Sequence, residues 1–456
     1  MDAPFANRLP PELLIAIATF ADQSTIIRLA TVCRYLRVAL IGTPTLWTSV
    51  DCQSAYRTWI LLQRSKSNPI DVTIDSDRYV PEAIYLVASH TRRMRSIEMD
   101  LYPSHFGDVR PLLNGSAPIL EAMRVRRRVD PPPLARRRSS PLPPYSSFFQ
   151  SKFHALRALY LEGYPLDLTQ SAPMITNGLT TLVLDSRQSY SRRGLLECLE
   201  HCESLVHLKI DLPNLRGTVP ASHIIPLPNL RELQSGRSPL SVLRHLSFPP
   251  SADLIIGPCA RQCFNGHPFT TVWEQRGLLQ MLESRPIEGI QITFTGPDCA
   301  VALTGPHLVF VEHAKANPSR HTSFHSDCLD SLQSLPTTAT GFLRLAQPLQ
   351  RLFTETLRPQ SCTRLLRQMP ELAHIILDES VALPFVRALE PVNGQVPCPK
   401  LQVLLVIRRE GHEVHLRNGL VALSNLRNGH GCPLECNMGS SGLSSWRPYT
   451  HLERVA

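Results

Sequence analysis

The sequence lacks long apolar runs and has little glycine. Its longest apolar runs, such as Leu13–Ala18 and Leu404–Ile407, are far below the roughly 18 residues that a membrane-spanning helix needs. The 22 glycines show no three-residue period, which excludes a collagen-like chain. The N-terminus has neither the basic flank nor the apolar run of a signal peptide. These absences predict a soluble intracellular protein, cytoplasmic or nuclear, with no membrane partner.

Cysteine is also scarce, with 12 residues among 456, so we do not expect a disulfide scaffold. Three pairs share the spacing CxxxC: Cys198/Cys202, Cys259/Cys263 and Cys432/Cys436. A four-residue step puts both sulfurs on one face of a helix. The Cys259 pair together with His267 could hold a metal ion, but no CxxC pair of the zinc-ribbon type accompanies it. Buried thiols are therefore the expected role, and we predict no metal site.

Sequence motifs for catalysis are missing as well. The chain contains no glycine-rich phosphate loop and no GxSxG. The run His412-Glu413-x-His415 does not have the i, i+4 histidine spacing of a helical zinc site. We therefore expect a protein that is not an enzyme and that uses no cofactor.

The positive charge is local. The net charge is +9, lysine occurs at only five positions, and arginine supplies the rest. Seven arginines fall within 15 residues: Arg124, Arg126, Arg127, Arg128, Arg136, Arg137 and Arg138. Because this cluster accounts for most of the excess, the charge does not indicate a nucleic-acid-binding surface.

The first organised segment runs from Leu9 to Asp51 and predicts three short helices. Pro10 and Pro11 are suited to a helix start, and Asp22 and Ser24 offer capping oxygens for a second helix. Apolar residues recur at helical spacing in each part: Leu13, Ile17 and Phe20; then Ile26, Ile27 and Ala30; then Val32, Leu36 and Leu40. Such a unit is too small to close its own core and should dock on something.

This segment resembles an F-box. The resemblance rests on Leu9-Pro10-x-Glu12-Leu13-Leu14, on Val32-Cys33-Arg34-x-Leu36-Arg37, and on Pro44-x-Leu46-Trp47. It departs from the family at Leu36, where a tryptophan is usual. The segments near Cys398 and Leu426 resemble the last repeats of fungal F-box proteins, and the chain as a whole is similar to the basidiomycete type.

The resemblance implies that the segment binds the Skp-family adaptor of an SCF ubiquitin ligase, and through it a cullin. For Ile17, Val32 and Leu36, internal packing and adaptor contact are equally expected. For Pro10 and Trp47 we favour contact, because both residue types are good interface anchors. The positions carried over to the adaptor interface, or to the core just beneath it, are Leu9, Pro10, Leu13, Ile17, Val32, Leu36, Leu46 and Trp47.

A repeated apolar pattern, apolar-x-x-apolar-x-apolar, follows the box. It starts at positions 94, 120, 156, 179, 205, 230, 287, 372 and 401, and the starts from 156 to 230 are 23, 26 and 25 residues apart. This period is typical of leucine-rich repeats, in which each unit supplies a short strand and then a helix or turn. Leu159, Leu182 and Leu208 should then occupy equivalent positions on neighbouring strands. Thr58–Asp75 predicts a helix, a turn at Asn68-Pro69 and a strand, and Arg193–Cys202 predicts a helix.

One interval between repeats is too long. The 36 residues between the starts at 120 and 156 include a stretch rich in proline, arginine and serine. This composition cannot bury a core, so it predicts a disordered loop. A solvated insertion is the favoured interpretation, and the alternatives are a basic docking loop, a nuclear signal, or a phosphorylation site at Ser139 or Ser140.

The predicted fold class is α/β, with an N-terminal three-helix F-box followed by an irregular leucine-rich-repeat solenoid. We expect the box at 1–51, a connecting helix and first repeats at 52–126, the insertion at 127–150, and the main repeat domain at 151–456. The predicted function is substrate recognition in a ubiquitin ligase, in which the repeats bind a protein target of unknown identity. The alternative is an interaction scaffold that uses box and repeats outside a ligase.

Overall fold

The structure is a computed structural model that describes residues 9–128, 153–163, 178–187, 189–220, 223–236, 240–257, 285, 287–295, 298–305, 308–315, 329, 332, 340, 342–346, 357–408 and 413–440. All but the first two residues of the predicted insertion at 127–150 lie outside these ranges. Cys259, Cys263 and His267 lie outside them too. The chain divides into two compact units: Met1–Val219 with Ile225–Asn229, and Pro220–Ile224 with Leu230–Ala456.

Unit 1 begins with three short helices, as the sequence predicted. They are α1 Pro11–Ala18, α2 Gln23–Val32 and α3 Arg34–Ile41, and a 3₁₀ turn at Pro44–Trp47 follows. Pro10 and Pro11 start α1, where the missing N–H groups cost nothing, and the Pro10 carbonyl accepts the first helical hydrogen bonds. Helices α1 and α2 both pack on α3.

The rest of unit 1, where it is described, contains strands and helices, which alternate only in its first part. The strands are β1 Ser49–Asp51, β2 Ile70–Asp75, β3 Met94–Leu101, β4 Ala122–Arg127, β5 Ala158–Glu162, β6 Thr181–Asp185, β7 Ser189–Ser191, β8 His207–Asp211, β9 Asn214–Arg216 and β10 Ile225–Pro226. The helices are α4 Ala55–Arg64, α5 Pro81–Ala88, α6 Phe106–Asn114 and α7 Arg192–Glu200, with 3₁₀ turns at Thr91–Arg93 and Pro103–His105. The predicted helix–turn–strand at Thr58–Asp75 and the predicted helix at Arg193–Cys202 are confirmed.

The main sheet of unit 1 is parallel, in the order β1-β2-β3-β4-β5-β6-β8. The predicted alignment of three leucines is confirmed, because Leu159 pairs with Leu182 and Leu182 pairs with Leu208. The column extends back through the strands and consists of Val50, Val72, Ile97, Met123, Leu159, Leu182 and Leu208. All of these side chains are buried. Side chains alternate across a strand, so the residues between them form a second, more polar face.

Unit 2 also contains a large sheet. The strands of unit 2 are β11 Glu232–Ser235, β12 Leu246–Ser247, β13 Asp253–Ile256, β14 Gly289–Thr295, β15 Asp298–Gly305, β16 Leu308–Lys315, β17 Phe342–Ala346, β18 His374–Asp378, β19 Val403–Arg408 and β20 Glu435–Ser440, and all but β12 belong to this sheet. The helices are α8 Pro359–Arg367, α9 Glu379–Ala388 and α10 Glu413–Gly429, and a 3₁₀ turn covers Leu240–His245. The sheet order is β11-β13-β16-β15-β14-β17-β18-β19-β20.

The centre of this sheet departs from the predicted parallel repeat. Strands β14, β15 and β16 pair antiparallel, and β14 lies beside β17 rather than beside the preceding strand β13. The expectation of a simple repeat starting at Ile287 is therefore wrong in its connectivity. The physical reason is the short connections, because the two residues between β14 and β15, and between β15 and β16, can join only antiparallel strands.

Two polar details stabilise the cores. The Arg427 guanidinium is buried and donates to the carbonyls of Pro397 (2.7 Å) and Cys398 (2.8 Å), which fixes α10 on the loop between α9 and β19. Cys198, in α7, and Cys202, two residues after its end, are buried, as predicted for that pair. Within the described part of the chain, no helix is long and apolar enough to cross a membrane and no group of three metal-ligating side chains occurs.

Candidate functional site

Helix α1 turns most of its apolar side chains to solvent. Leu13, Ile17 and Phe20 follow one another at helical spacing, and Ile17 is 59% and Phe20 92% exposed. The buried residue of this helix is Ala18, on the other side. An apolar stripe usually faces a protein's own core. Here the stripe faces solvent, so it is available for contact with another protein.

Helix α2 is fixed at its start and apolar at its exposed end. The Asp22 carboxylate accepts hydrogen bonds from the Thr25 backbone N–H (2.8 Å) and the Ser24 hydroxyl (2.6 Å). These bonds lower the pKa of Asp22 to about 2, and the bond from the Ser24 hydroxyl has the largest effect. Asp22 is therefore the N-cap, and Ser24 supports it rather than capping the helix itself. Val32, in the last turn, is 68% exposed.

Helix α3 holds the three helices together. Leu36 and Leu40 are buried, whereas Val38 points to solvent. The Tyr35 hydroxyl donates to the Leu9 carbonyl (2.7 Å), which ties the chain before α1 to α3. The Arg37 guanidinium donates to the Ala30 carbonyl (3.0 Å) and so links α3 to α2. These bonds fix the helices that carry the exposed apolar side chains.

Trp47 closes the core below the helices. Its side chain is 0% exposed, and its indole N–H donates to the Leu40 carbonyl (2.9 Å). The Arg64 guanidinium of α4 lies 4.3 Å from the centre of its ring, and burial lowers the pKa of Arg64. One residue, Thr48, separates Trp47 from β1. The helices therefore continue directly into the sheet of unit 1.

The structure divides the eight predicted site residues into two groups. Pro10, Leu13, Ile17 and Val32 are exposed and Leu9 is half-buried, so their side chains are available to a partner. Leu36, Leu46 and Trp47 are buried and belong to the core beneath. The preference for direct contact at Trp47 is wrong, because the ring lies under Arg64 and its only polar group is already bonded within the chain.

Sequence reasoning missed two exposed apolar side chains of this domain, Phe20, two residues after α1, and Val38 on α3. Phe20 was recognised on the α1 stripe but was not assigned to the site, and Val38 was not singled out. The available signal for Val38 was its place between Leu36 and Leu40, on the side of α3 that also carries Arg34 and Arg37. Helical spacing puts Val38 away from buried Leu36 and Leu40, and this spacing predicts that its side chain is exposed.

Replacing Trp47 by phenylalanine should lower the free energy of unfolding by about 1–3 kcal/mol. Phenylalanine keeps most of the ring area but removes the N–H, so the Leu40 carbonyl loses its buried donor. Chemical denaturation of the full chain measures the change. A loss below about 0.5 kcal/mol would show that this hydrogen bond does not stabilise the connection between the three helices and the sheet.

The comparison with known families decides what this segment is. Residues 6–53 match the F-box-like family model. The matched range contains all three helices and the 3₁₀ turn, and it covers about a tenth of the chain. No curated protein matches the chain.

The F-box-like domain gives the chain a general role. F-box domains typically bind Skp-family adaptors, and proteins that contain them typically act as adaptors in SCF-type ubiquitin ligases rather than as enzymes. The exposed apolar side chains of α1, α2 and α3 lie inside the matched range. The kind of partner follows from the domain.

Proposed function

We propose that the protein is the substrate-recognition subunit of an SCF-type cullin-RING ubiquitin ligase, of the kind that basidiomycete fungi contain. Its F-box-like domain binds a Skp-family adaptor and through it a cullin, and its repeats bind a target protein. The observation that carries the proposal is the set of exposed apolar side chains on the domain. Leu13, Ile17, Phe20, Val32 and Val38 all expose more than half of their side chains.

These exposed apolar side chains would gain free energy if a partner covered them. Burying a leucine or isoleucine side chain is worth about 1.5–3 kcal/mol, so several such residues on one small domain favour association. The three helices are fixed by the Asp22 cap and by the Tyr35 and Arg37 hydrogen bonds. The surface is therefore preorganised, which lowers the entropy cost of binding.

We assign the remainder of unit 1 to an irregular leucine-rich-repeat solenoid. Three features support this assignment: parallel strands in sequence order, the aligned buried column from Val50 to Leu208, and repeat starts 23 to 26 residues apart. In such arrays each coil buries its apolar side against its neighbours. Among the described residues, the second face of the strands is then left for a target.

That face of unit 1 carries an ordered set of charges beside an aromatic ring. The Glu162 carboxylate accepts from Arg126 (2.9 Å) and Arg124 (3.3 Å), and the Arg124 guanidinium lies 5.0 Å from the centre of the Tyr160 ring. Arg128 pairs with Asp100 (2.9 Å) and Asp75 (3.2 Å) on the neighbouring strands. We propose this face as the target-binding surface, because aromatic and arginine side chains are enriched at interfaces.

The direct connection between box and sheet suits the proposed role. The Thr48 carbonyl accepts from the Asp71 backbone N–H (2.9 Å), so the sheet begins one residue after Trp47. A target held on the strands would keep a fixed orientation to the adaptor. A ligase needs this geometry, because it raises the effective concentration of a target lysine near the charged ubiquitin carrier.

A non-ligase scaffold built from the same box and repeats is the alternative function. Affinity purification of the full chain from cells, with mass spectrometry of the bound proteins, separates the two. The ligase predicts recovery of both a Skp-family adaptor and a cullin, and loss of both with Ile17→Glu. Recovery of the adaptor without a cullin would favour the scaffold. Recovery of neither would contradict the proposed adaptor surface.

A further inference from the structure

The outer edge of β20 in unit 2 carries backbone groups that no described strand pairs with. Strand β20 is the last strand in the sheet order, and among the described residues no strand pairs with its outer edge. The Glu435 N–H donates to the Gln402 carbonyl beside β19 (2.9 Å). In a strand, successive residues direct their N–H and C=O groups to opposite sides. Cys436 and Met438 therefore direct theirs to the outer edge.

A groove with both polar and apolar lining lies beside this edge. It has a volume of about 540 Å³ and is bounded by α10 on one side and β20 on the other. Its lining consists of Arg417, Leu420, Val421, Ser424, Asn425, Cys436 and Met438. Leu420 is buried at the base, and Val421 is 56% exposed at the mouth.

The groove continues the buried column of the sheet. Leu343 pairs with Ile375, Ile375 with Leu404, and Leu404 with Cys436. Leu343, Ile375 and Leu404 are buried, whereas Cys436 is only half-buried. An apolar side chain on one more strand, in register with Cys436, would lie in the groove and extend the column. The site therefore fits an added strand better than it fits a compact small molecule.

Hydrogen bonds fix α10 beside β20, and the charge in the lining of the groove is positive. The Ser424 hydroxyl donates to the Leu434 carbonyl (2.9 Å). Buried Arg427 fixes α10 to the loop between α9 and β19. Arg417 lies two helical turns before Ser424 and is the one charged residue in the lining. An occupant with a carboxylate near its apolar side chain would complement this arginine.

We propose that the groove binds an extended peptide segment of a partner protein, which adds a strand to β20. The segment's backbone pairs with Cys436 and Met438, an apolar side chain fills the groove between Leu420 and Met438, and an acidic residue pairs with Arg417. Main-chain hydrogen bonds would supply affinity, and the groove would supply selectivity. This inference does not depend on the adaptor function of the N-terminal domain.

Selection of a phage-displayed random peptide library on the immobilised full chain tests the proposal. Enriched peptides should alternate apolar residues and carry an acidic residue. Val421→Glu should weaken their binding by about tenfold or more, because it places a charge at the groove mouth. Leu426→Glu is the matched control on the same helix, since Leu426 is 49% exposed but does not line the groove. It should change binding less than about twofold, and both variants should keep the wild-type melting temperature.

Three outcomes would overturn the proposal. The first is the absence of enriched peptides, or enriched peptides that bind Val421→Glu as tightly as the wild type. The second is displacement of the selected peptides by a synthetic peptide of residues 441–456 at millimolar concentration, about the effective concentration of a segment joined to β20 by a short linker. This result would make the chain's own residues the occupant. The third is a dimer in solution that Val421→Glu converts to a monomer, which would make a second copy the occupant.

Discussion

Replacing Ile17 by glutamate is expected to weaken binding of a purified Skp-family adaptor by roughly 100-fold or more, without unfolding the chain. Ile17 lies on the exposed stripe of α1, so the carboxylate stays in water in the free protein. In the complex the same group would be buried without a partner, and this costs several kcal/mol. Val32→Glu, at the exposed end of α2, should act in the same direction. Titration calorimetry with the full chain measures both variants.

The control for these variants is Tyr85→Glu. Tyr85 lies on α5, outside the range that matches the F-box-like family, and it is 61% exposed. The substitution therefore adds the same charge at a comparable exposed apolar position, and adaptor affinity should stay within about twofold. If Ile17→Glu and Tyr85→Glu lower the affinity equally, the stripe on α1 is not the binding surface.

The Leu182→Ala variant should lower the free energy of unfolding of the full chain by about 2–5 kcal/mol. Leu182 is buried and pairs with Leu159 on one side and Leu208 on the other, so the truncated side chain leaves a cavity between two neighbours. Stability in a repeat array is shared between adjacent coils. Amide hydrogen exchange should therefore accelerate at Leu159 and Leu208 as well as at Leu182.

Val183 supplies the matched control for this prediction. It is the next residue on the same strand, faces the opposite side of the sheet and is only half-buried. Val183→Ala should cost less than about 1 kcal/mol, because surrounding solvent fills the space that the methyl groups leave. Equal losses for the two variants would show that the column of Leu182 is not the core of the array.

The strands of unit 1 could be predicted from the sequence because their signal is local. Leu159 and Leu182 stand in the same apolar triplet, one repeat apart, and parallel strands of equal length align such positions. The order of the strands around Ile290 was not predictable in this way. The triplet identifies a strand. Which strands pair with it depends on whether the following segment reverses direction, and the triplet does not carry that information.

The same limit explains the corrections at the candidate site. The helices of the N-terminal domain followed from capping residues and apolar spacing, but burial depends on what packs against each face. Trp47 is buried because Arg64, from a helix that follows β1, covers its ring. Ile17 is exposed because no described element of the chain covers that side of α1. Periodicity alone identifies an apolar face but does not say whether the chain itself or a partner covers it.

Hydrogen–deuterium exchange of the full chain, with and without a purified Skp-family adaptor, tests the central claim most directly. The predicted result is a stable complex in which protection appears within α1, α2 and α3 and the strands from β2 to β5 are unchanged. This pattern would locate the adaptor on the exposed apolar face and leave the proposed target surface free. The absence of a complex, or protection confined to the strands, would contradict the account.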